Sequence, residues 1–172
     1  MNTTDSNSAP DPLRDAIASV LGRTPSGIFI LTASDGGSRE TGMLASWVQQ
    51  ASFDPPMVTV AVNRKRYLND WLDAAPKLAL SMVAEKQFDF LKHFGRGFEP
   101  DEPAFEEIEF ARGITGLPVL SAALGYLEGN VVGQLDAGDH AIYLVEIEGA
   151  GTGPDLDSLG PMVHIRKNGF NY

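Results

Sequence analysis

The sequence contains no cysteine among its 172 residues. A chain without cysteine forms no disulfide and has no thiolate nucleophile, so its chemistry depends on other side chains or on a bound cofactor. No apolar segment approaches the roughly 18 uncharged residues of a membrane-spanning helix. The first residues, MNTTDSNSAPDP, have neither the basic start nor the apolar stretch of a secretion signal. These absences predict a cytoplasmic protein that does not bind membranes.

Positive charge is also scarce, with 13 Lys and Arg against 23 Asp and Glu and a net charge of −10. That balance argues against binding to nucleic acid or acidic membranes. It makes the basic cluster at residues 64–66 informative. The three histidines, His93, His140 and His164, share no metal-ligand spacing with one another or with carboxylates, so we predict no metal site.

The residues that are present indicate one globular domain, because 43% are hydrophobic and 21% are charged. Residues 1–10 are polar and predict a disordered tail, which leaves residues 11–172 as a single domain. Asp11 and Pro12 resemble an N-cap followed by proline at the first helical position. Apolar residues then recur on one face of a short predicted helix, which ends at Gly22.

The rest of the chain is mostly strand-like. Strands are predicted at residues 28–32, 57–62, 77–83, 127–135 and 141–147, and short helices at 67–75 and around 88–94. The last two strands alternate apolar and other residues on either side of the turn at residues 136–139. Because strands and helices do not alternate regularly, the pattern favours an antiparallel barrel or sandwich over a parallel sheet.

Residues 42–56, GMLASWVQQASFDPP, contain a polar break within an apolar run. Ser46 stands there beside the large Trp47. One interpretation places the backbone amides and the Ser46 hydroxyl against a planar ligand. Periodicity alone favours another, in which the apolar neighbours belong to the core and the Ser46 hydroxyl is satisfied within a turn.

The basic triplet at residues 64–66 follows a predicted strand and precedes a predicted helix. Cations at a helix start oppose the helix dipole by about 0.3–1 kcal/mol. The placement is better explained if Asn63, the helix-start amides and one or two basic side chains hold a phosphate. The alternative is a solvated charged loop. His140, which follows a turn, is a candidate for contacting substrate or moving a proton, or else an exposed structural residue.

Three separated segments resemble those of a known family: TGMLASWVQQASFDPPMVTVAVNRKR, LALSMVAEKQFDFLKHF and AGDHAIYLVEI. They are similar to the flavin reductase-like, FMN-binding split-barrel family. The form MLASWV…QASF…KHF is closest to the C-terminal reductase domain of diflavin flavoproteins. The resemblance covers residues 22–172. It implies a mainly β fold with short α-helices, an antiparallel Greek-key split β-barrel that forms a homodimer with FMN near the subunit interface.

The resemblance also implies roles for individual residues. The implied cofactor-binding residues are Met43, Leu44, Ala45, Ser46 and Trp47 along the isoalloxazine and ribityl chain, Asn63, Arg64 and Lys65 at the phosphate, Ser81, Met82 and Val83 on the groove wall, and Phe94 over the ring. His140 is implied to lie near the nicotinamide side of the flavin. Leu44 departs from the threonine of many members, which removes one side-chain hydrogen bond to the flavin, although diflavin-type members share the leucine.

The implied activity is that of an NAD(P)H:flavin reductase, an oxidoreductase that transfers hydride from NADH or NADPH to flavin N5. FMN is the expected cofactor, and FAD is an alternative because an open groove leaves its adenylate in solvent. Reduced flavin would then serve a partner oxygenase or another electron acceptor. Two other hypotheses are a flavoprotein electron carrier, which binds FMN without reacting with NAD(P)H, and a ligand-free interaction module.

Overall fold

The computed structural model describes residues 11–171, so the tail predicted at residues 1–10 lies outside the described residues. The chain divides into two compact units. One is Ser26–Val163, and the other consists of the residues up to Pro25 and those from His164 onward. No helix in the described part of the chain is long and apolar enough to cross a membrane.

Three helices and eleven strands are assigned within residues 11–171. In chain order they are α1 (Pro12–Gly22), β1 (Ser26–Gly27), β2 (Phe29–Ser34), β3 (Glu40–Ala45), β4 (Val48–Phe53), β5 (Pro56–Asn63), α2 (Leu68–Ala74), β6 (Lys77–Met82), α3 (Phe88–Phe94), β7 (Phe110–Arg112), β8 (Pro118–Leu120), β9 (Gly125–Ala137), β10 (His140–Thr152) and β11 (Val163–His164). The predicted helices and the predicted long strands are all present.

The smaller unit is built on α1. The Asp11 carboxylate caps the helix by accepting hydrogen bonds from the amides of Leu13 and Arg14, as the sequence predicts. The C-terminal segment returns to this helix, where the Gly169 amide donates to the Ala18 carbonyl at 2.7 Å. The apolar face of α1 is nevertheless exposed in the chain, and Leu13 is 70% accessible.

The larger unit contains a seven-stranded antiparallel sheet in the order β3-β2-β6-β9-β10-β5-β4. Its two edge strands, β3 and β4, are joined by Ser46 and Trp47 alone. Three residue steps span at most about 11 Å, so the opposite edges of the sheet must approach each other at this link. The sheet therefore curls into a barrel that stays unpaired between β3 and β4. The predicted antiparallel split barrel is confirmed.

Apolar clusters lie on both faces of the curled sheet. Leu31, Leu80 and Tyr143 belong to the cluster inside the barrel, while Ile30 and Phe94 belong to a second cluster against α3. Consecutive residues Ile30 and Leu31 fall into different clusters because successive strand side chains point to opposite faces.

The hairpin of β9 and β10 corrects one sequence prediction. Alternation predicts that Leu135 shares the buried face of Leu127, but Leu135 is 62% exposed. A β-bulge leaves Val132 without a partner in the register. One extra residue reverses the faces beyond it, so Gln134 rather than Gly133 pairs with the buried Tyr143, and Leu135 falls on the opposite face.

Candidate active site

The link between the two edge strands carries a buried hydroxyl. Ser46 is 8% exposed, and its Oγ has no hydrogen-bond partner among residues 11–171. The interpretation of Ser46 as a satisfied turn hydroxyl is therefore wrong for this structure. Met43 packs against the inner cluster and Leu44 against the outer one, so both are half-buried wall residues of the strand that leads to the link. Ala45 is buried in the inner cluster.

Trp47 and His140 meet where the barrel closes. Their ring centroids lie 4.7 Å apart with an interplanar angle of 44°. The Trp47 carbonyl accepts a hydrogen bond from the Ala61 amide at 3.0 Å, which fixes the link to β5. The sheet register places His140, the first residue of β10, opposite Asn63, the last residue of β5. Residues predicted separately from distant segments thus converge on one end of the barrel.

His140 is buried, with 7% of its surface exposed, so it is not the solvent-exposed histidine of the alternative interpretation. Its Nδ1 lies 2.8 Å from the Asp139 carboxylate. Because a carboxylate only accepts, Nδ1 carries the proton of this bond and Nε2 is left for another partner. The hydrogen bond from the His140 ring, with the electrostatic attraction between the two side chains, holds the pKa of Asp139 below its ordinary value.

The turn after β5 is closed by hydrogen bonds to Asn63, the last residue of that strand. The Asn63 Oδ1 accepts from the Lys65 amide at 3.0 Å, and the Asn63 carbonyl accepts from the Arg66 amide at 3.0 Å. Lys65 itself is exposed. Two of the amides expected to hold a phosphate are therefore already engaged, and α2 begins only at Leu68 and has seven residues. Asn63 still lies opposite His140, and Lys65 still offers the charge of its exposed ammonium group.

Arg64 is the predicted phosphate residue whose surroundings differ most from expectation. Its Nη2 lies 2.7 Å from the Asp136 carboxylate, and its Nε donates to the Gly138 carbonyl at 3.0 Å. Its amide donates to the Asp139 carbonyl at 2.9 Å. The hydrogen bond from Arg64 is the main reason that the pKa of Asp136 lies below its ordinary value.

A polar network that the sequence did not reveal supports this turn from α2. The Asn69 amide group donates to the carbonyls of Asn63 and Arg66, at 2.9 and 2.7 Å. Its Oδ1 accepts from the Tyr143 hydroxyl at 2.9 Å, and Gln134 donates to that hydroxyl at 3.3 Å. Burial raises the pKa of Tyr143 to about 12, so the phenol keeps its proton. Nothing in the spacing of an asparagine on a short helix could indicate these partners.

Four predicted residues are not gathered at this end of the barrel in the way expected. Ser81 is fully buried, and its Oγ accepts from the Leu120 amide at 3.0 Å. Val83 and Phe94 belong to the outer core cluster, with Phe94 only 1% exposed, so the Phe94 ring is packed in the core rather than offered as a cover. Met82 lines a separate, mainly apolar cavity of about 480 Å³ together with Phe29 and neighbours from β9 and β10.

In the described part of the chain, no group of three or more His, Asp or Glu side chains is placed to hold a metal ion. The groups around the barrel closure are instead the unpaired Ser46 hydroxyl, an imidazole nitrogen of His140, the exposed Lys65 ammonium group and the aromatic face of Trp47. Such a set suits a planar, hydrogen-bonding ligand with an anionic end.

Comparison with known proteins relates the chain to flavin reductases and diflavin flavoproteins. Residues 21–171 match the family model described as the flavin reductase like domain. Putative diflavin flavoprotein A 6 from Nostoc sp. is 34% identical over 158 residues, which are 91% of this chain and 27% of that protein. Diflavin flavoprotein A 1 from Synechocystis sp. is 35% identical over 153 residues, 88% of this chain and 26% of that protein. The chain thus spans about a quarter of the length of these relatives.

Solved structures share the fold over most of their length. The NADH:FAD oxidoreductase SgcE6 from Streptomyces globisporus C-1027 superposes with a TM-score of 0.79 at 27% identity, covering 91% of this chain and 92% of that one. A complex of SgcE6 with NAD and FAD fragments gives a TM-score of 0.77 at 26% identity, with the same coverage.

Proposed function

The chain belongs to the flavin reductase like domain family, and from that premise we propose that it is an NAD(P)H-dependent flavin reductase. The observation that carries the proposal is the unpaired, buried Ser46 hydroxyl beside the contact of Trp47 with His140. A buried hydroxyl without a partner costs about 1–3 kcal/mol, which a ligand with polar edge atoms would recover by bonding it. The SgcE6 complex with NAD and FAD fragments supports the same pair of ligands.

The residues at the barrel closure fit a flavin. We propose that the backbone of Met43–Trp47 and the Ser46 hydroxyl hold the polar edge of the ring, while Trp47 supplies apolar area. Asn63 pairs with His140 in the sheet, and together with the exposed Lys65 that follows in the turn it suits a phosphate. Leu44 offers only its backbone, because its side chain packs into the outer cluster.

The bound flavin would supply the redox chemistry by accepting a hydride, with its two electrons, from the dihydronicotinamide. The protein has to orient the two rings and exclude water from between them. His140 is suited to this task, because Asp139 fixes its Nδ1 and leaves Nε2 as the ring nitrogen outside that contact. No protein nucleophile takes part.

Several finer features are proposed with it. FMN is the expected flavin, since Lys65 suits a terminal phosphate, and FAD is the alternative. We propose a homodimer, in line with the family, a cytoplasmic location, and delivery of reduced flavin to an oxygenase or another acceptor. We also retain a single domain over residues 11–172, which is supported by one family model spanning residues 21–171.

Anaerobic mixing with NADH or NADPH tests the function. The purified protein is incubated with FMN, and binding is followed by quenching of flavin fluorescence. Nucleotide is then added in a stopped-flow instrument, and bleaching of the visible flavin absorption reports reduction. Binding with bleaching supports a reductase. Binding without bleaching by either nucleotide would identify an electron carrier, and failure to bind FMN, FAD or riboflavin would refute a flavoprotein.

A further inference from the structure

Three contacts join Arg64 to the turn between β9 and β10. The side chain reaches the Asp136 carboxylate and the Gly138 carbonyl, and the backbone amide reaches the Asp139 carbonyl. A guanidinium has a rigid planar fork, so using Nε and Nη2 on two partners fixes its orientation. A phosphate at this guanidinium would have to compete with the Asp136 carboxylate.

The turn that Arg64 contacts leads directly into His140. Ala137 pairs with His140, so only Gly138 and Asp139 form the loop. Gly138 has a φ of +73°, which glycine adopts without strain at the first loop position of a type II′ turn. All residues from 135 to 139 are exposed, whereas His140 is buried against Trp47. The loop therefore has little packing of its own.

We propose that Arg64 is a positioning residue that holds the 136–139 turn, and through it the imidazole of His140, and that it is not the phosphate ligand. This inference rests on the proposed flavin reduction. Exposed ion pairs add little to global stability, and the Arg64 and Asp136 side chains are 43% and 77% exposed. The effect of the pair should consequently appear in the placement of His140 rather than in the melting temperature.

The experiment compares Arg64→Ala, Asp136→Asn and the double variant. Each single change should slow single-turnover reduction of bound flavin at saturating NADH by about tenfold, because a small misplacement of a catalytic group is costly. The double variant should be no slower than Arg64→Ala, since Arg64→Ala already removes the ion pair that Asp136→Asn weakens. The ratio of FMN to riboflavin affinity should stay unchanged in all three. Arg64→Lys should recover part of the rate.

A flavin-independent readout accompanies the kinetics. The ring protons of His140 lie within the ring current of Trp47, so their NMR shifts report the contact directly. These shifts should move in both single variants. Arg96→Ala removes a comparable exposed ion pair with Glu102 and serves as the matched control, with unchanged shifts and rate. Lys65→Ala should lower FMN affinity without affecting riboflavin.

The outcomes separate the two proposals. If Arg64→Ala weakens FMN selectively while Asp136→Asn has no effect, Arg64 is a phosphate ligand and the positioning role is refuted. Unmoved His140 shifts in both variants would also refute it. If the wild-type protein binds no flavin, the proposed function fails, yet the NMR comparison still decides whether Arg64 positions His140.

Discussion

Replacing Ser46 by alanine is expected to stabilise the ligand-free protein and to weaken flavin binding. The Ser46 Oγ is buried and has no partner among the described residues, so in the free protein it carries the cost of lost hydration, about 1–3 kcal/mol. Alanine removes that cost with almost no change in volume. The melting temperature of the ligand-free variant should therefore rise or stay constant.

Flavin affinity should move in the opposite direction. If the flavin edge bonds this hydroxyl, its loss should cost about 1–3 kcal/mol, or roughly fivefold to 150-fold in Kd. Fluorescence titration with FMN measures the Kd, and thermal unfolding without ligand measures the stability. A higher thermal stability without ligand, combined with a higher Kd for FMN, distinguishes a hydroxyl that contacts the ligand from an ordinary core residue.

Thr32 provides a matched control, because its Oγ1 is also buried without a partner within residues 11–171 but lies in β2, away from the link. Thr32→Val should raise stability and leave the FMN Kd unchanged. An unchanged Kd in Ser46→Ala, or equal weakening in both variants, would show that the Ser46 hydroxyl does not meet the flavin.

Three further predictions concern the same unit. His140→Ala should slow flavin reduction by NADH by about 10²-fold or more in stopped flow while FMN affinity is preserved, and unchanged turnover would return the residue to a packing role. The pKa values of Asp136 and Asp139 are lowered in the folded state, so their contribution to stability is present above the unfolded value of 3.8 and is lost as pH falls through the lower folded value. Because both carboxylates are exposed, this contribution is small, and the urea midpoint should show only a slight additional drop below about pH 4, which should be smaller in Asp136→Asn. Glu128 is 1% exposed and accepts hydrogen bonds from two amides and one hydroxyl, so Glu128→Gln should lower the free energy of unfolding by about 1–3 kcal/mol in urea titrations, whereas the exposed Glu106→Gln should not.

Local signals in the sequence were sufficient for the three helices and for the five strands that were predicted, but not for the six other strands of the structure. The Asp11 cap, the glycine turn at residue 138 and the alternation from Ala141 to Val145 each act over a few residues, and the structure contains the corresponding helix end, hairpin and buried face. The bulge at Val132 was missed because an unpaired residue is defined by the partner strand. Its effect on Leu135 could not be read from β9 alone.

The sequence predicted only part of the candidate site. Ser46, Trp47, Asn63 and His140 were identified from motif resemblance, and the fold brings them to one end of the barrel. Phe94 was assigned to the flavin ring by the resemblance, and the sequence could not correct this because a helix face does not reveal which of two apolar surroundings it will meet. In the structure it meets the outer core cluster.

By itself the sequence determined the helices, the longest strands, the absence of thiol chemistry and the family, because composition, caps, turns and motifs are properties of short stretches. Tertiary structure alone decided that the ring of Trp47 touches His140, that the Ser46 hydroxyl is left unpaired, and that Arg64 bonds the turn at Asp136. The first two depend on where β3 and β4, the two edges of one sheet, approach as the barrel curls, and the third depends on the pairing of β5 with β10, which brings the end of β5 beside the turn. That approach is a consequence of strand order and curvature, which no local pattern encodes.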